Sequence, residues 1–173
     1  MRARLAFIAS AVLMASTTAC PAEAEQRRGP DRQVELPADA GLVVGHQARQ
    51  GRAVLVELVP PGETVQRFTR MVTLQSLVGL AHVPQQQVLD RFSAQYRAKC
   101  PRGVAAPFGV EGRFDGVRID CPLHPATGRM ETVFARLVDL SPNMAMVQIT
   151  MTRVPTPEES RWARDYLARV TVR

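Results

Sequence analysis

The stretch TVFARLVDLSPNMAMVQITM, residues 132–151, decides the fold of this chain. Apolar side chains recur at every second position of 132–140, which indicates a half-buried strand. Ser-Pro-Asn at 141–143 is a strong turn signal. The cleanest alternation in the chain follows, with one face formed by Ala145, Val147, Ile149 and Met151. Two strands joined by so short a turn predict an antiparallel hairpin.

Upstream of this hairpin the pattern predicts two further strands and a helix. Residues 54–58 and 68–74 alternate in the same way, and Pro60-Pro61-Gly62 turns the chain between them. A helix is expected from about Pro84 to Cys100, where Pro101 ends it. Its core-facing stripe recurs every four residues, at Val88, Phe92 and Tyr96. Residues 104–121 return to strand character.

A second helix is predicted at the C-terminus, where the start signal is the clearest in the chain. Thr156 can cap the helix, Pro157 suits its first position, and Glu159 stands where a capping-box carboxylate reaches back. Its core-facing stripe consists of Trp162, Tyr166 and Val170. Strands, a helix, more strands and a second helix predict an α+β fold with an antiparallel sheet flanked by helices.

The N-terminus has the three parts of a secretory signal peptide. Arg2 and Arg4 supply the positive start, residues 5–15 form an apolar run, and small residues follow. This run is too short for a permanent membrane span, which needs about 20 apolar residues. We therefore expect an exported protein that acts in the periplasm or at a membrane facing it.

Two sites of processing compete. The sequence Thr-Thr-Ala-Cys at 17–20 resembles a bacterial lipobox, in which Cys20 becomes the lipidated first residue and the signal peptide is 1–19. Ala-Glu-Ala at 22–24 is an ordinary cleavage site, which makes the signal peptide 1–24. We prefer the lipoprotein, whose membrane contact is the lipid on Cys20. Residues 25–40 are polar with two prolines and predict a flexible tether, which leaves 41–173 as a single domain.

Two cysteines remain in the domain, and export would place them in an oxidising compartment. Cys100 and Cys121 are therefore predicted to form a disulfide that closes a loop of about 22 residues, for roughly 3 kcal/mol of stability. The alternative is a metal site that uses both thiols with His124, because Cys121-x-x-His124 is a plausible half-site. No second half-site of matching spacing is found, so we expect no metal.

The composition is that of an ordinary globular domain, because 46% of the 173 residues are hydrophobic. The formal net charge is +6, from 22 Lys and Arg against 16 Asp and Glu. The arginines are scattered and lack the interleaved aromatic residues of a single-strand binder, so no nucleic-acid partner is expected.

Two stretches resemble the PsbP-like fold. AVLVELVPPGETVQRFTRMVTLQSL, residues 53–77, looks like the opening of that fold, and MVQITMTRVPTPEESRWARDYLARV, residues 146–170, is similar to its close. The resemblance covers about residues 42–172 and implies an antiparallel sheet flanked by helices. It also implies an accessory or binding protein, in a superfamily without shared catalytic residues.

Motifs of nucleophilic, zinc or phosphate chemistry are not found, so we expect no catalytic residues and no cofactor. The leading hypothesis is an exported, non-enzymatic envelope protein that binds a protein partner or a small ligand. The alternatives are a small periplasmic hydrolase with a dispersed site around His124 or His82, or a purely structural envelope protein. A pocket that converges on a histidine and a carboxylate would favour the enzyme, and a shallow apolar patch the binder.

Overall fold

The computed structural model of the protein describes residues 32–38, 41–110, 113–125 and 127–173. The predicted signal peptide, the lipidation at Cys20 and the first part of the tether lie outside these residues. The elements in chain order are β1 (Val34–Glu35), β2 (Val43–Gln50), β3 (Ala53–Val59), β4 (Arg70–Leu77), α1 (Gln85–Lys99), β5 (Val104–Val110), β6 (Arg113–His124), β7 (Arg129–Asp139), β8 (Met144–Met151), α2 (Pro157–Ala168) and β9 (Thr171–Val172). No helix in these ranges is long and apolar enough to cross a membrane.

Seven strands form one antiparallel sheet in the order β2-β3-β4-β8-β7-β6-β5. The predicted hairpin is confirmed as β7 and β8, whose register pairs Leu137 with Met146. These two strands lie near the middle of the sheet and are buried along most of their length. With the two helices, the sheet confirms the predicted mixed α+β class.

The two helices cover opposite faces of the sheet, because successive side chains of a strand point to opposite sides. On one face α2 packs over Val72, Phe134 and Ile149 through its buried Tyr166 and Leu167. The opposite face is covered by Val88 and Leu89 of α1, which pack on a second cluster formed by Val117, Ile119, Val133, Ala135, Leu137, Met144 and Met146. The core therefore has two layers, one on each side of the sheet.

The helix ends follow the predicted signals. The hydroxyl of Thr156 accepts a hydrogen bond from the Glu159 amide, and the Glu159 carboxylate accepts one from the Thr156 amide. Pro157 is the first residue of α2, so the predicted capping box is confirmed. Helix α1 begins after Pro84 and ends at Lys99, and its cap residue Cys100 directly precedes Pro101.

Three features of the sheet differ from the sequence interpretation. Strand β2 was not predicted, because its exposed sequence VVGHQARQ at the sheet edge lacks a buried face and therefore has no alternation. The strand character over 104–121 belongs to two strands, since β5 pairs antiparallel with β6. In the segment expected to be a tether, Val34 pairs with Val172 and packs on the core, so at least residues 34–35 are held to the domain.

Candidate functional site

The predicted Cys100–Cys121 disulfide is confirmed and joins the end of α1 to strand β6, with the Cα atoms 6.0 Å apart. Both cysteines are buried, and neither sulfur is available as the metal ligand of the alternative interpretation. Among the described residues, no group of three or more His, Cys, Asp or Glu side chains could hold a metal ion. Cys121 pairs in register with Glu131 of β7, so the disulfide lies next to an acidic residue on the neighbouring strand.

Glu131 is a buried carboxylate with only 7% of its surface exposed. One oxygen, Oε2, accepts a hydrogen bond from the Tyr96 hydroxyl at 2.6 Å, and the other, Oε1, accepts one from the Thr127 hydroxyl at 3.0 Å. Tyr96 lies in the last turn of α1, and the amide of Cys100, the residue that follows the helix, donates to the Tyr96 carbonyl at 2.9 Å. The disulfide therefore holds the last turn of the helix where Tyr96 reaches Glu131.

Burial raises the pKa of the Tyr96 hydroxyl above its usual value, and the hydrogen bond to Glu131 and the negative charge of that carboxylate raise it further. Tyr96 consequently remains a neutral donor at any physiological pH. The Tyr96 hydroxyl donates its proton to Glu131 in this hydrogen bond. Of the two side chains, only Glu131 can therefore offer a charged group to a ligand.

His124 lies beside the same carboxylate. Its Nδ1 is 4.0 Å from Oε1 of Glu131, which is beyond hydrogen-bond distance, and this buried nitrogen has no hydrogen-bond partner among the described residues. Its ring packs at 5.7 Å from that of Tyr96, between centroids. The other histidines are elsewhere: His46 is exposed on the edge strand β2, and His82 is exposed before α1.

A cavity of about 240 Å³ opens at this end of the sheet, on the face that carries α1. It is named here the Glu131 cavity, and its lining consists of Gln66, Phe68, Thr127, Arg129, Glu131 and Thr152. Two of the six come from the loop between β3 and β4, and three from the start of β7 and the turn before it. His124 is not among these lining residues.

The loop over the cavity is fixed by hydrogen bonds at both of its ends. Glu63 accepts hydrogen bonds from the amide and the hydroxyl of Thr69, at 2.6 and 2.8 Å. Thr152 follows the end of β8, and its hydroxyl donates to the carbonyl of Phe68 at 3.1 Å. The wall that carries Phe68 is therefore part of the folded domain, and the cavity is largely preformed.

The lining combines opposite charges. Arg129 and Glu131 are two positions apart on β7, about 7 Å along the strand and on the same face. Among the described residues the Arg129 guanidinium has no ion-pair or hydrogen-bond partner, and Glu131 has no cationic neighbour within 4 Å except His124. The cavity thus offers one unpaired cation at its exposed side and one buried anion.

A second cavity of about 250 Å³ lies between α1 and the strands β5 and β6. Its charged lining residues, Asp90 and Arg97, are both exposed on the helix. An exposed charged side chain is solvated by water, so a partner adds little free energy to it. A buried carboxylate is shielded from water, so a partner of opposite charge stabilises it more. The Glu131 cavity is for this reason the stronger candidate site.

Sequence reasoning placed Tyr96 in the core and His124 in a dispersed site, and it missed Glu131. The missing information is register: Glu131 lies opposite Cys121 because of the pairing of β6 with β7, which includes a shift between Cys121 and His124. Neither a strand shift nor a turn that folds over a strand end leaves a periodic signal in the sequence. Phe68 was likewise assigned to a strand face, whereas it precedes β4 and lines the cavity.

Comparison of the chain with models of known protein families and with curated proteins finds no match.

Proposed function

We propose that this chain is an exported envelope protein that binds a small ligand in the Glu131 cavity and does not catalyse a reaction. The observation that carries the proposal is the buried carboxylate of Glu131 on the wall of a preformed cavity. A carboxylate out of water is costly unless it is hydrogen-bonded and paired. Glu131 is hydrogen-bonded twice but lacks a strong counter-charge, which a ligand can supply.

The cavity also has the dimensions and wall chemistry of a small-ligand site. Its volume of about 240 Å³ lies below the range of about 300–1,000 Å³ typical for drug-sized ligands, so it suits a smaller molecule. One aromatic ring, one amide, two hydroxyls and two charges converge in its lining. Several convergent polar groups with one aromatic side chain can fix the orientation of a small polar ligand.

Protein NMR with a small-molecule extract of the producing cell's envelope tests this function. We expect the extract to shift the amide signals of Thr127, Arg129, Glu131 and Thr152, and to shift them less in a folded Glu131→Gln variant. A matched control is Asp90→Asn, which removes an exposed carboxylate from the other cavity and should leave the shifts intact. If no fraction of the extract perturbs these amides, a purely structural role replaces the binding role.

Export and anchoring are the second part of the proposal. The apolar run at 5–15 after Arg2 and Arg4 supports a signal peptide, and Cys20 supports lipidation with residues 25–31 as the tether. A disulfide in the domain suits an oxidising compartment such as the periplasm. Mass spectrometry of the mature N-terminus tests it, because a lipidated Cys20, a free Glu25 and an uncleaved Met1 differ in mass far beyond error.

The finer fold assignment is also a proposal. A helix on each face of an antiparallel sheet supports the PsbP-like architecture that residues 53–77 and 146–170 resemble. Superposition of an experimentally determined structure on PsbP-like domains tests it, with matching strand order as the criterion.

A hydrolase is the second candidate, and the position of His124 at 4.0 Å from Glu131 favours it. Glu131 would then act as a general base on a water molecule in the cavity. Binding is favoured instead because His124 is not among the residues that line the cavity and because the Thr127 hydroxyl already donates to the carboxylate. Turnover of a panel of ester and peptide substrates that disappears in Glu131→Gln would replace the binding role with hydrolysis.

A further inference from the structure

We infer that the ligand of the Glu131 cavity is a small zwitterion of the α-amino-acid type, with its ammonium group on Glu131 and its carboxylate on Arg129. This inference rests on the proposed function and names the chemical class that the site recognises. It follows from three properties of the cavity: which oxygen atoms offer only acceptor sites, which charged side chains lack an ion-pair partner among the described residues, and how large the cavity is.

The oxygen atoms around Glu131 present hydrogen-bond acceptors to the cavity. The Thr127 hydroxyl has already donated its proton to Glu131, and the Thr152 hydroxyl has donated its proton to the Phe68 carbonyl. Toward the cavity both hydroxyls therefore offer lone pairs, as the Glu131 carboxylate does. An ammonium group carries three donors and no acceptor, so it complements this set of oxygens.

The exposed side of the cavity presents the opposite charge. Arg129 has no ion-pair partner among the described residues, and a guanidinium can hold a carboxylate through two parallel hydrogen bonds. A simple cation on Glu131 would face the like charge of Arg129, and a simple anion on Arg129 would face Glu131. A ligand with both charges pairs with the buried Glu131 and also avoids the like-charge contact with the exposed Arg129.

The volume of the cavity limits the size of the ligand. About 240 Å³ lies below the range of about 300–1,000 Å³ typical for drug-sized ligands, so the ligand is smaller than a drug-sized molecule. Small α-amino acids carry an ammonium and a carboxylate on one carbon and fall within this limit. Phe68 and Gln66 are then available to contact the side chain of the ligand.

Titration of the purified full-length mature protein with L-alanine and D-alanine, followed by NMR, tests the inference. We expect saturable shifts of the Thr127, Arg129, Glu131 and Thr152 amides with at least one enantiomer. Ethylamine carries only the ammonium group and acetate only the carboxylate. Each is expected to bind at least about tenfold more weakly than alanine. Glu131→Gln and Arg129→Gln should each weaken alanine binding by about tenfold or more, since each removes a charged hydrogen-bond partner.

The outcomes separate the ligand class from the function. If ethylamine binds as tightly as alanine and Arg129→Gln has no effect, the ligand is a simple cation and the zwitterion is wrong, although the cavity still binds. If neither alanine enantiomer binds while the envelope extract still shifts the same amides, the class is wrong and the proposed function stands. If neither alanine nor the extract binds, both fail. Asp90→Asn is the control that should bind alanine as the unmodified protein does.

Discussion

Replacing Tyr96 by Phe removes one hydroxyl and leaves the ring in place. The hydroxyl donates to Oε2 of Glu131 at 2.6 Å, a short hydrogen bond to a carboxylate. After the substitution, Glu131 keeps only the hydrogen bond from Thr127, while its exposed fraction of 7% gives little access to water. We therefore expect Tyr96→Phe to destabilise the fold through an under-paired carboxylate.

The magnitude follows from the kind of hydrogen bond. Hydrogen bonds to charged groups contribute about 1.5–3 kcal/mol, so we expect Tyr96→Phe to lower the free energy of unfolding by about 2 kcal/mol. In a Glu131→Gln background the acceptor is a neutral amide, and the same substitution should cost about 1 kcal/mol. The coupling between the two residues is then about 1 kcal/mol.

Urea denaturation of the four members of this double-mutant cycle measures the coupling at neutral pH. Helix α1 offers a matched control, in which the side-chain amide of Gln86 donates to the Asp90 carboxylate at 2.8 Å. This pair is exposed to solvent, whereas Glu131 is buried. A cycle of Gln86→Ala and Asp90→Asn should give no more than about 0.5 kcal/mol. If the Tyr96–Glu131 coupling is no larger than that of the exposed pair, burial does not strengthen this contact and the account of the site is wrong.

Three further predictions concern the framework around the site. Cys100 and Cys121 are 21 positions apart, and changing both to Ala should lower the free energy of unfolding, measured by urea denaturation, by about 3 kcal/mol. A loss below about 1 kcal/mol would contradict the stabilising role of the disulfide. The raised pKa of Tyr96 keeps its hydroxyl protonated in the folded protein above pH 10, whereas the same hydroxyl loses its proton in the unfolded chain. Above pH 10 the free energy of unfolding should therefore fall by up to about 1.4 kcal/mol per pH unit. The Tyr96→Phe variant should show a shallower fall, and equal slopes would refute this. Thr156→Ala removes the cap of α2 and should cost about 1 kcal/mol, whereas a stability unchanged within 0.2 kcal/mol, by thermal or urea denaturation, would argue against the capping box.

Much of the framework could be predicted because it depends on local patterns. The alternation over residues 132–151 has period two, so it predicts both strands of the central hairpin and their shared core face. The capping box at Thr156 and Glu159 is a contact between residues three apart, and the sequence shows it directly. The Cys100–Cys121 disulfide followed from counting the cysteines and assigning the compartment.

The site could not be predicted in the same way, because it depends on contacts between distant segments. Tyr96 and Glu131 are 35 residues apart, and they meet where the disulfide joins α1 to β6 and where β6 pairs with β7. Phe68 and Thr152 are 84 residues apart and meet only where a loop folds over the ends of the strands. Strand β2 escaped prediction for a different reason, since an edge strand exposed on both faces has no apolar alternation.

A crystal structure of the full-length mature protein grown with the small-molecule extract of its own envelope tests the central claim most directly. The account predicts a bound molecule in the Glu131 cavity, with a donor nitrogen within about 3.2 Å of a Glu131 carboxylate oxygen. A cavity that holds only ordered water, or a molecule bound elsewhere while Glu131 remains without a new partner, would contradict it.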